Sequence, residues 1–147
     1  MHTLRLRALA GAALTAAVLA VATGCAAIED ALHKERSLSF ETLHDLAEGW
    51  DREVSWFPAD ATGIRIAESS IAADASVLLA SSQELDPDLC APSDRLSAPS
   101  YQVDGAPDVY AASDAYACGA WTVIAAPGGW YGWTPNHSDE RAASPTE

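Results

Sequence analysis

Trp121-Thr-Val-Ile-Ala-Ala-Pro-Gly-Gly-Trp-Tyr-Gly-Trp-Thr134 is the stretch that decides the fold. Trp121, Val123 and Ala125 fall on one side of its first half, with Thr122 and Ile124 on the other. That is the period-two pattern of a β-strand. Pro127-Gly128-Gly129 supplies a turn, since paired glycines accept the positive φ that tight hairpins require. Trp130 to Thr134 then returns as a second strand. A two-residue turn at the glycines sets Ile124 opposite Trp133, an aromatic and β-branched pair of the kind that stabilises sheets.

Working towards the N-terminus, Ile64-Arg65-Ile66-Ala67 alternates apolar with exposed positions, and Ser76 to Ser81 carries Val77, Leu78 and Leu79. The polar segment Ser69 to Asp74 between them completes a second antiparallel hairpin. Phe40 to Glu48 reads as a helix, capped by Ser39 and stopped by Gly49, with Phe40, Leu43 and Leu46 or Ala47 on one stripe. The expected fold is therefore α+β: an N-terminal helix packed on a small antiparallel sheet of about four strands. Residues 1–24 are read as a signal peptide, 25–39 as the N-terminus and tether of the processed chain, 40–134 as the globular domain, and 135–147 as a disordered tail.

Met1 to Cys25 has the three parts of a secretory signal. Arg5 and Arg7 give a positive start, Ala8 to Ala22 an uncharged apolar run, and Ala22-Thr23-Gly24-Cys25 a small-residue exit. The apolar run is short and Ala-rich for a membrane span, which needs about 20 strongly apolar residues. The segment resembles the lipobox of bacterial lipoproteins, in which a small residue precedes a cysteine at the cleavage site, although Ala22 stands where Leu is usual. The resemblance implies that Cys25 becomes the first residue of the mature protein and carries a diacylglycerol on its sulfur. Ordinary cleavage after Ala20-Val21-Ala22 is the competing outcome and leaves Cys25 a spare thiol. Two acyl chains anchor a protein stably where one does not, because each buried methylene contributes about 0.8 kcal/mol.

Export also sets the chemistry of the other two cysteines. Cys90 and Cys118 form an even remainder in an oxidising compartment, which reads as a disulfide. Such a bridge matters because aliphatic residues are few, while Trp (5) and Tyr (4) supply large apolar faces instead. Between the cysteines, Ala91 to Ala115 is rich in Pro, Ser, Asp and Ala and has no clear period. Asp86, Asp88, Asp94, Asp104, Asp108 and Asp114 crowd this region, but the alternating-oxygen pattern of a calcium loop is missing.

Removal of the leader takes away two arginines and no acid, moving the net charge from −13 to −15. So acidic a chain without a basic patch argues against nucleic acid as a partner. No cofactor is expected: no Gly-rich phosphate loop follows a strand, and His33, His44 and His137 lie in no metal-ligand or nucleophile spacing. His44 beside Asp45 suggests a general base but reads more simply as a solvated pair on an exposed helical face.

Trp56-Phe57-Pro58, the run Ala61 to Ile66, Ala117-Cys118-Gly119-Ala120-Trp121 and Gly129-Trp130-Tyr131-Gly132-Trp133-Thr134 together resemble small uncharacterised lipoproteins of actinobacteria. The resemblance spans most of residues 50 to 135. It implies an extracellular, lipid-anchored module and brings no established activity; the partners expected are the membrane, through the anchor, and an envelope protein or wall component. Trp121, Trp130, Tyr131 and Trp133 are the candidate ligand-facing residues, since planar faces of this kind bind sugars and peptides. The favoured role is core, with one aromatic left exposed. The functional expectation is a non-catalytic binding or envelope-associated module, ahead of an accessory structural subunit and of a hydrolase without a recognisable motif.

Overall fold

The structure is a computed structural model that describes residues 34–145, so Met1 to Cys25 and the tether as far as His33 lie outside the described residues. From Glu35 onward the chain forms one unit. Its strands are β1 (Glu35–Thr42), β2 (Thr62–Ser69), β3 (Ala75–Ala80), β4 (Ala91–Ser93), β5 (Ala115–Cys118), β6 (Trp121–Ala126) and β7 (Gly129–Thr134). Two helices, α1 (Leu43–Gly49) and α2 (Ser138–Ala143), and a 3-10 turn at Val109–Ala111 complete the elements. All seven strands join one antiparallel sheet in the order β1-β2-β3-β7-β6-β5-β4.

The α+β class and both expected hairpins are present, but the sheet has seven strands rather than about four. It is also not led by a helix. Glu35 to Thr42 pairs with β2 along its length, from Glu35 opposite Ser69 to Thr42 opposite Thr62. Leu38 and Phe40 are placed opposite Ile66 and Ile64, and this two-residue spacing of apolar side chains is as good a strand signal as Phe40 and Leu43 are a helical one. The helix therefore starts at Leu43. Its cap is Thr42, whose Oγ1 accepts from the Asp45 amide at 3.2 Å while the Asp45 carboxylate accepts from the Thr42 amide at 3.1 Å. This reciprocal capping box satisfies donors that the first turn otherwise leaves open.

The Trp121–Thr134 hairpin forms in a different register from the expected one. The turn is Pro127-Gly128, with Ala126 opposite Gly129, so Ile124 faces Tyr131 and Trp133 faces Thr122. Proline fixes its own φ for the second position of a turn, and Gly128, at φ 75°, takes the third. Gly129 is glycine for another reason. A Cβ there would lie 2.1 Å from the Leu79 carbonyl oxygen, so the close approach of β7 to β3 requires its absence.

The sheet is buried on both faces. On one, α1 and the turn after it lay Leu46, Trp50 and Trp56 over Ile64, Ile66, Val77, Leu79, Trp121 and Val123. On the other, the long connection after β4 lays Val103 and Val109 over Leu78, Ile124, Tyr131 and Trp133. That connection is thus a second covering layer, as the low periodicity of a non-repeating segment conceals. Burial on both sides also explains why Val77-Leu78-Leu79 is continuously apolar.

The disulfide is made between Cys90 and Cys118, whose Cα atoms are 4.3 Å apart just beyond the Ala91–Ala117 pair. It ties together the two ends of the covering connection. The C-terminal segment also departs from the expected disordered tail. α2 occupies Ser138–Ala143, and Glu140 on it is fully buried.

Candidate functional site

The four candidate aromatics are divided between the two faces of the sheet. Trp121 and Trp130 belong to the face covered by α1, and Tyr131 and Trp133 to the opposite one. Alternation along β7 makes this unavoidable, because residues 130 and 133 differ in parity. Tyr131 and Trp133 are 0% exposed and Trp121 9%, while Trp130 is half-buried. Trp121 lies 6.0 Å from the Trp56 ring, and Tyr116 stands edge-on to Trp130 at 5.8 Å. The cluster is core, divided in two, and forms no single platform. The exposed aromatic is Tyr110, at 73%, with the Arg95 guanidinium 4.9 Å from its ring centre. Sequence reading gave no cue to Tyr110, which sits in the aperiodic connection.

Two buried carboxylates, neither of them marked by any sequence motif, organise the polar interior. Glu68 on β2 is 4% exposed, on the same face as Ile64 and Ile66. Its carboxylate accepts from the Trp50 indole Nε1 at 2.9 Å and from Arg36 Nε at 2.9 Å, with Arg36 Nη2 a second donor. Arg52 brings Nη1 to 3.8 Å of it, lies 5.7 Å from the Trp50 ring centre, and donates through Nη2 to the Ala73 carbonyl. Two guanidinium groups thus share one buried carboxylate. Beside it, between α1 and the following turn, runs an open cleft of about 800 Å³ lined by Leu43, Leu46, Trp50, Arg52 and Val54.

Glu140 closes the opposite side. Its carboxylate accepts from the amides of Leu96 (2.8 Å), Ser97 (3.2 Å) and His137 (2.7 Å) and from Ser97 Oγ (2.5 Å). Ser97 Oγ in turn accepts from the Trp133 indole at 2.9 Å. Burial pushes the Glu140 carboxyl up, but these donors outweigh it and hold the group below the usual glutamate range. The arrangement fixes the start of the covering connection to Trp133. The His137 ring does not join this cluster and instead accepts from the Asp139 amide at 3.2 Å.

His44 and Asp45 do not form an acid–base pair. Asp45 is consumed in capping α1, and the His44 side chain is 81% exposed, 3.9 Å from Glu48. Of the acids near the covering connection, Asp86 and Asp108 form turns: Asp86 accepts from the Asp88 amide and Asp108 from the Tyr110 amide, both at 2.9 Å. Among the described residues no group of three acidic, histidine or cysteine side chains is placed to hold a metal ion. Cys25 lies outside the described residues.

Comparison with family models, with curated proteins and with solved structures returned no match.

Proposed function

We propose that the chain is an exported lipoprotein, acylated at Cys25, whose domain works outside the membrane as a non-catalytic binding or envelope-associated module. The observation that carries the reading is the pairing of Cys90 with Cys118. Structural disulfides belong to oxidising compartments, and this one leaves Cys25, at the exit of a signal-like stretch, as the third and unpaired cysteine. The likeness of Met1 to Cys25 to a lipobox, and of residues 50 to 135 to actinobacterial lipoproteins, supports the same placement. The net acidity of the chain fits a module that does not bind anionic polymers directly.

The test is Cys25→Ser. The wild-type chain partitions with membranes and requires detergent for release, whereas the variant is recovered in the medium with its disulfide intact. Equal membrane association of both forms would contradict the reading. A constant stoichiometric partner recovered with the solubilised wild type would favour the subunit role over that of a ligand-binding module.

A further inference from the structure

The two edges of the sheet are unlike. β4 is a three-residue edge that contains Pro92 and is clamped by the adjacent disulfide. Proline donates no hydrogen bond and shortness leaves little to pair with, so this edge is blunted. β1, at the other end of the strand order, runs for eight residues without proline or glycine, and among the described residues no strand pairs with its outer side. An unpaired edge of that length is a ready template for another strand.

We propose that β1 pairs with β1 of a second copy, antiparallel about a two-fold axis through Ser39. A two-fold perpendicular to the sheet keeps each face continuous, so even-numbered residues must meet even-numbered ones. Centring on Ser39 sets Leu38 opposite Phe40 on the α1 side, Arg36 opposite Thr42, and Ser37 opposite Glu41 on the other. Leu38 and Phe40 are only half-buried within one copy, and this pairing covers both. Shifting the centre to Leu38 places Glu35 opposite Glu41, a like-charge pair that destabilises. Shifting it to Phe40 sets residues 35–37 opposite α1, whereas centring on Ser39 leaves Glu35 alone beyond the strand, opposite Leu43. The register that joins apolar to apolar is thus also the one that spares the charges. Because β4 cannot pair in the same way, the contact is isologous and closes at two copies instead of growing into a fibre.

A single pair of strands buries less than the 1,200 Å² or so of a standard stable complex. Pairing is therefore weak in dilute solution and strengthened by confinement, where tethering raises the effective concentration. This part rests on the acylation proposed above. With the two-fold along the membrane normal, both tethers reach the same bilayer, since the segment from Cys25 to Lys34 spans up to about 30 Å when extended.

The test is Ser39→Cys in the full-length protein held in its membrane, under mild oxidation, beside Ser93→Cys on the β4 edge and the unaltered chain. Ser39 is exposed, so the substitution leaves the domain intact. Opposed residues in an antiparallel ladder have Cα atoms about 4.5–5.5 Å apart, within disulfide reach. The expected result is a covalent dimer with Ser39→Cys, at least tenfold more abundant than with Ser93→Cys. Ser37→Cys mixed with Glu41→Cys should cross-link, and neither alone. A monomer throughout, or equal cross-linking at both edges, would overturn the proposal. Acyl mass measured on the same sample separates the two ideas: an acylated monomer removes the dimer alone, and a cross-linked but unacylated chain removes the anchor alone.

Discussion

Gly128, in the hairpin turn, and Gly132, within β7, are glycine for different reasons. A Cβ on Gly132 would come within 2.6 Å of the Trp56 ring and 3.2 Å of Val123, in the middle of the α1-side core. Gly132→Ala should therefore cost about 2–3 kcal/mol, as overpacking does. At Gly128 there is nothing within 4 Å, and only the positive φ is at stake. Gly128→Ala should cost about 1 kcal/mol; chemical denaturation of both variants checks the order. Glu140 gives a pH signature. Because its carboxyl is held below its ordinary value of about 4.3, its contribution is complete above that pH and is lost as pH falls through the lower, folded-state value. Glu140→Gln presents donors to donors and should lower stability at pH 7 by about 2–3 kcal/mol. Its acid limb below pH 4.3 should be flatter than the wild type's. An unchanged denaturation midpoint at neutral pH would remove Glu140 from the role of anchor. Neither Glu140 nor Glu68 was legible in the sequence, because a carboxylate's burial depends on donors more than thirty residues away, Arg36 for one and Ser97 for the other.

Local pattern was legible among the elements where one face alternates cleanly, and failed where two patterns overlap. Residues 121–126 and 64–67 announced strands. At residues 38–43, Leu38, Phe40 and Leu43 satisfy both a strand ending at Thr42 and a helix beginning before it, and pairing with β2 decides for the strand. The tail was misread for a similar reason: His137 and Glu140 form a capping box around α2, but the usual Ser or Thr cap is absent. The Cys90–Cys118 bridge was legible from the cysteine count together with the export expected of the signal-like stretch. The bridged cysteines are 28 apart in sequence, so the chain-entropy model assigns the bridge about 3.5 kcal/mol. Changing both cysteines to alanine should lower the denaturation midpoint accordingly. It should also open the covering connection between Asp94 and Asp114 to limited proteolysis before the rest of the chain. Simultaneous cleavage everywhere would mean that the connection is not a separable layer.

For the whole molecule, a seven-stranded sheet covered on both faces explains how a chain poor in aliphatic residues holds together. Five tryptophans are distributed over two cores, and the polar interior is closed by carboxylates that are fully donated to. The chain is acidic, and among the described residues one long strand edge, that of β1, is unpaired. What would bring this surface to its place of work is the sulfur of Cys25, and its acylation is the claim to test first. Intact-mass measurement of the native protein, extracted from membranes without reductant, does so directly. The account predicts a chain beginning at Cys25, heavier by a diacylglycerol and lighter by the two hydrogens lost in joining Cys90 to Cys118. An unacylated chain beginning at Thr23 or Met1 would contradict it.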